Sequence, residues 1–196
     1  MSQRLITSLL IALSLSIMAG FAFAQGMDMT RGEATATIGG SNVTIDYGQP
    51  SLKGRELSEL LSKLPEERIW RAGMNQVTTL STDKALSIGG TTVPAGKYSL
   101  YVHIPENGDW SLLVNKDQGV ALGSFYAQAP DNLKEEPWPH LGTYNEKIKD
   151  QEVVRTKMTK ASGGSEDRLM IDLSDDGTLT MSWGTESWTA KIGSAN

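Results

Sequence analysis

The sequence predicts an all-β, mostly antiparallel domain: a β-sandwich or flattened barrel with one amphipathic helix packed at an end or a side. Three observations carry this. Apolar residues recur at every second position through most of the chain beyond residue 37, the period of a pleated strand with one buried face. Clusters of Gly, Pro, Asn and Asp separate these runs at short intervals, as tight turns require. One stretch only has helical spacing.

Taken in order, the chain opens with MSQRLITSLLIALSLSIMAGFAFAQ. Arg4, the apolar run from Leu5 and the small-x-small Ala22-Phe23-Ala24 have the form of a secretory signal over residues 1–24, cut after Ala24. Residues 25–37 read as an N-terminal tail and 38–196 as a single β-rich domain. In NVTIDY, Val43, Ile45 and Tyr47 share one face. In GRELSELLSKLPEE, Leu57, Leu60, Leu61 and Leu64 line one side of a helix that Pro65 stops. Tyr98, Leu100, Val102 and Ile104 alternate with Ser99, Tyr101 and His103, and Trp110, Leu112 and Val114 follow. Residues 118–140 read as a long loop whose Phe125, Tyr126 and Trp138 pack it onto the body. A weaker helix or loop pair is expected between Asn145 and Lys157. Leu169, Ile171 and Leu173, then Leu179, Met181 and Trp183, then Trp188, Ala190 and Ile192 complete the strands.

Composition narrows the function classes. The chain has no cysteine, and an exported chain without disulfides fits a bacterial periplasm or secretion from a bacterium. Its formal charge of -5 argues against nucleic acid, which demands a basic surface. Nothing after the signal is apolar for long enough to give a stable membrane span.

Motifs for chemistry are sparse. His103 and His140 are the two histidines; a metal site would need them to meet near Asp46 or Asp109, and no metal or other cofactor is assigned. Met27-Asp28-Met29 is too slight to mark a copper tail. No Gly-x-Ser-x-Gly elbow, phosphate-cradling glycine loop or spaced carboxylate pair is found, and no catalytic residue is assigned. What stands out is a polar group in the two connections around the leucine helix: Tyr47, Lys53, Arg55, Trp70, Arg71 and Asn75. Guanidinium groups fork onto carboxylates and phosphates, and an indole stacks on planar groups. The competing reading of such an arginine is structural: it ties down loop carbonyls or a core carboxylate such as Asp46 or Asp172.

YGQPSLKGRE, WRAGMNQVTTL and IGGTTVPAGKYSLYVHIPENGDWSLLVNK, in that order, resemble the bacterial domain of unknown function 2911 family (DUF2911), and LGTYNEKIKDQEVVRTKM resembles its later segment. The resemblance spans roughly Ile38 to Ile192. It implies an exported, mostly β domain and brings no reaction with it. Gln49 stands where the family has arginine, Gln76 where it has glutamate and Leu141 where it has tryptophan. An amide pair between Gln49 and Gln76 in place of an ion pair is therefore expected, and no general base at 76. The reading that follows is a non-enzymatic binding or structural module of the bacterial envelope, with an unknown polar ligand or envelope partner. The alternative is an envelope-directed hydrolase using His103 or His140 with an aspartate.

Overall fold

The computed structural model describes residues 28–195. The expected signal and its cut after Ala24 lie outside the described residues. Along the chain run β1 (Arg31–Ile38), β2 (Ser41–Gly48), α1 (Leu57–Leu61), β3 (Ile69–Trp70), β4 (Thr79–Thr82), β5 (Leu86–Ile88), β6 (Thr91–Val93), β7 (Gly96–His103) and β8 (Ser111–Asn115). Then come β9 (Val120–Ala121), β10 (Pro137–Trp138), α2 (Tyr144–Lys147), β11 (Glu152–Lys157), β12 (Thr159–Lys160), β13 (Glu166–Leu173), β14 (Thr178–Gly184) and β15 (Glu186–Ser194). Among these residues no helix is long and apolar enough to cross a membrane.

Two antiparallel sheets face each other, as the alternation predicts. One has the order β1-β2-β4-β7-β8-β11 with β3 also paired to β7, and the other β13-β14-β15-β5-β6 with β12 on β15. Val43, Ile45, Leu100, Val102, Leu112 and Val114 from the first meet Leu169, Ile171, Leu179, Met181 and Ile192 from the second. Each fully buried aliphatic side chain contributes about 1.5–3 kcal/mol. β1 lies against β13 and β6 near β11, so the two sheets approach along both sides without pairing into a closed barrel. Tyr47 staples the layers: its hydroxyl accepts from the Ile171 amide at 2.9 Å and donates to the Ile171 carbonyl at 3.3 Å. β13 is an edge strand, so this phenol satisfies a backbone pair that no neighbouring strand reaches.

Four expectations are corrected. The 25–37 tail becomes strand from Arg31 on, paired with β2 along its whole length. The leucine helix, expected to run on to Pro65, shrinks to five residues, because no side chain caps its start at Glu56 and so short a helix has little stability of its own. Its leucines still plug the sandwich, Leu57 buried and Leu60, Leu61 and Leu64 partly so. The 145–157 helix pair is only α2 and one further turn before the chain extends into β11. Finally, β7 and β8 are buried on both faces. A second small cluster of Ile69, Tyr101, Leu113, Tyr144 and Ile148 covers the outer side of the first sheet.

The 118–140 segment is an ordered loop closed by the β9–β10 pair. Gly123 donates to the Lys134 carbonyl at 2.9 Å and Val77 to the Pro137 carbonyl at 3.0 Å. The residues that bury are Leu122 and Ala129, whereas Phe125 is exposed. Trp138 is half-buried.

Candidate functional site

The site is a corner built on tight backbone contacts. Between β3 and β4 the chain turns back over residues 71–78, with φ of 52° at Ala72 and 60° at Asn75. Such left-handed conformations are costly for residues other than glycine and persist only where the surroundings hold them. Here the Thr78 hydroxyl donates to the Ala72 carbonyl at 3.0 Å. A Cβ at Gly73 would come within 2.6 Å of Thr78 Oγ1, and one at Gly48 would run into the Met74 carbonyl. The two connections around α1 therefore touch through their glycines. Ala72 is driven inward, fully buried, while Arg71 stays exposed.

Arg71 and Trp70 flank a cleft of about 300 Å³ on the outer face of the first sheet, together with Tyr101, His140, Tyr144 and Lys147. Apolar side chains, including Leu64, Pro65 and Pro139, form its walls. The floor is braced. Tyr101 and Tyr144 pack edge to face, with ring centroids 4.9 Å apart. The Asn115 amide donates to the Tyr144 hydroxyl, which donates to Glu152, each at 2.9 Å. Glu67 accepts from the amides of Tyr144 and Asn145 at 2.6 and 2.9 Å, anchoring the first turn of α2.

The electrostatics single out two groups. Arg71 makes no hydrogen bond or ion pair among the described residues. Although much of the side chain is exposed, protein atoms crowd its charged end enough to lower its pKa through desolvation. Beside it, Tyr101 is 95% buried, and its hydroxyl has no hydrogen-bond partner among the described residues. Ser99 lies close enough to act on this phenol, but its own hydroxyl is turned to the Asp117 carbonyl. Burial pushes the Tyr101 phenol up to about 12. The other polar groups named are engaged: Lys147 pairs with Glu146 at 2.6 Å and His140 Nε2 lies 3.0 Å from Asp117.

The six sequence candidates separate. Trp70 and Arg71 line the cleft. Tyr47 belongs to the core. Arg55 lies on a different groove and bonds to the carbonyls of its own turn, Leu52 at 2.8 Å and Ser51 at 3.3 Å. Lys53 sits in that exposed turn with φ 51°. Asn75 holds the segment before β1 through the Asp28 carbonyl at 2.6 Å and Met29 Sδ at 3.3 Å. The expected Gln49–Gln76 amide pair is not formed. Gln49 donates to the Leu169 carbonyl across the sandwich, while Gln76 accepts from Arg31.

The arginine paired with Asp46 is Arg31, and Arg68, like Arg55, ties down carbonyls, those of Leu61 at 2.8 Å and Ile104 at 3.1 Å. His140 meets Asp117, neither Asp46 nor Asp109. Burial, with Arg155 and Arg68 nearby, lowers the pKa of His103. Tyr101, Tyr144 and Lys147 escaped the sequence reading. The available signal was Tyr101 itself, a large aromatic on the supposedly outward side of its strand.

The family model described as "Protein of unknown function (DUF2911)" matches residues 30–192. No curated protein and no solved structure matches the chain.

Proposed function

The chain belongs to the DUF2911 family, and from that premise we propose that it is an exported, non-enzymatic binding domain of the bacterial envelope that takes a small ligand in the cleft beside Trp70 and Arg71. One observation supports this above the rest. Arg71 lines the cleft with a guanidinium that makes no hydrogen bond or ion pair among the described residues. Its forked N–H donors are left for a ligand, and partial burial of its charged end lowers its pKa. Perturbed charges in a concave, largely apolar site are the usual mark of binding. Arg55, engaged with its own turn, lacks that property. A thermal-shift screen of the exported protein against envelope sugars, peptides and small acids tests the reading. Arg71→Ala should keep the fold and abolish the shift. An unchanged shift in that variant would remove Arg71 from the site.

A second reading rests on His140. It lines the same cleft, and its pairing with Asp117 at 3.0 Å is an arrangement that orients a general base. Asp117 also accepts from the Gly119 amide at 2.8 Å, which fits a loop clamp equally well. Hydrolysis of envelope material that is lost in His140→Ala but kept in His103→Ala would favour the enzyme.

A further inference from the structure

We infer that the ligand of this cleft is a small monoanionic acid, a carboxylate on an apolar body, gripped by the Arg71 guanidinium with the Tyr101 hydroxyl as second donor. The inference deepens the binding reading and rests on it. Charge sets the valence. Among the described residues Arg71 is the guanidinium or ammonium group of the cleft without a partner: Lys147 is held by Glu146, and the His140 ring is hydrogen-bonded to Asp117. Glu67 adds a negative charge to the same cleft, with both oxygens committed to amides of α2. A second negative charge on the ligand would find no cation and would face that carboxylate. One negative charge is what the site balances.

Geometry then selects the group. A guanidinium offers parallel N–H donors that match the two oxygens of a carboxylate. The Tyr101 hydroxyl is buried and lacks an acceptor, a condition that native proteins seldom leave without a reason. The hydroxyl itself is closed off from solvent, so a ligand reaches it only when the side chains over it move. A carboxylate drawn in beside Arg71 gives the phenol its missing acceptor. The walls select the remainder: Leu64, Pro65, Ile69, Trp70, Pro139 and Ile148 offer apolar surface. A volume of about 300 Å³ lies at the small end of ligand sites.

The test is titration of the exported protein with phenylpropionate, phenylpropionamide and phenyl phosphate, following the Trp70 indole N–H by nitrogen-15 correlation NMR and assigning it with Trp70→Phe. Phenylpropionate should shift that signal saturably, and the uncharged amide should bind about tenfold or more weakly, the loss expected for one charge-assisted bond. Arg71→Met should weaken phenylpropionate by a similar factor, and Tyr101→Phe by about five- to tenfold. Equal affinity for acid and amide, or tighter Arg71-dependent binding of doubly charged phenyl phosphate, overturns the monoanion inference and leaves the cleft standing as a binding site. A Trp70 signal unmoved by all three probes overturns the inference as well. If the broad screen also finds no Arg71-dependent ligand, the binding reading falls with it.

Discussion

The Trp70 indole, on the first sheet, stacks on Trp183 from the second, with ring centroids 5.3 Å apart and 18° between their planes. The residue beside Arg71 is thus held by the opposite layer, so one wall of the cleft is fixed by packing through the sandwich. Fixing a wall in advance reduces the ordering cost of binding.

Trp183→Ala removes that brace and opens a void in the core. Urea unfolding should show a loss of about 3–5 kcal/mol, and phenylpropionate should bind more weakly even if the variant folds. Unchanged binding would mean that the position of Trp70 does not depend on the stack.

Arg68 and Arg71, three positions apart, should behave oppositely. Arg68 ties the Leu61 and Ile104 carbonyls, so Arg68→Ala should cost about 1–3 kcal/mol in denaturant unfolding. Arg71 holds nothing among the described residues, so Arg71→Ala should change stability by no more than about 0.5 kcal/mol.

Tyr101→Phe should stabilise the free protein by about 1 kcal/mol, because it deletes a buried hydroxyl without a partner. The pH dependence has a definite sign. Burial raises the phenol to about 12 when folded, against about 10 when unfolded. Its neutral form contributes fully below about 10, and that contribution is lost as pH rises towards 12. The phenylalanine variant should lack this alkaline component in melting curves. An identical alkaline limb in both proteins would assign it elsewhere.

At the acid end, hydrogen bonds from Thr30 and then Arg168 pull Asp28 down to about 2. Its ionised form stabilises the fold above the usual aspartate value of about 3.9, and the contribution fades as pH falls from there towards 2. Asp28→Asn should flatten that limb and speed amide exchange around Arg31, where the segment before β1 is held against Asn75 and Arg168.

Much of this architecture was legible in order. Alternation over Val43–Tyr47 and Leu169–Ile192 assigned the buried faces correctly, because a one-residue slip in a strand would turn every side chain to the wrong side; over Tyr98–Ile104 it found the inner face but not the cover that also buries Ser99 and Tyr101 on the outer one. β1 was missed since ATATI alternates small residues, Ala34 and Ala36, whose burial needs no large side chain. The candidate site was legible only in part. Trp70 and Arg71 are neighbours in one motif and stay together in the cleft, while Tyr47 and Arg55, close to them in sequence terms across α1, go to the core and to another groove.

By itself the sequence determined the fold class and the family, since both are written in short-range periods and ordered motifs. Tertiary structure alone decided which arginine is free. Whether a guanidinium is engaged depends on carbonyls brought to it from distant strands: Arg68 finds the carbonyl of Ile104, and Arg71 emerges where α2 and the 118–140 loop leave a gap over Tyr101. Local spacing does not encode that juxtaposition, because it arises only when both faces of the first sheet are covered.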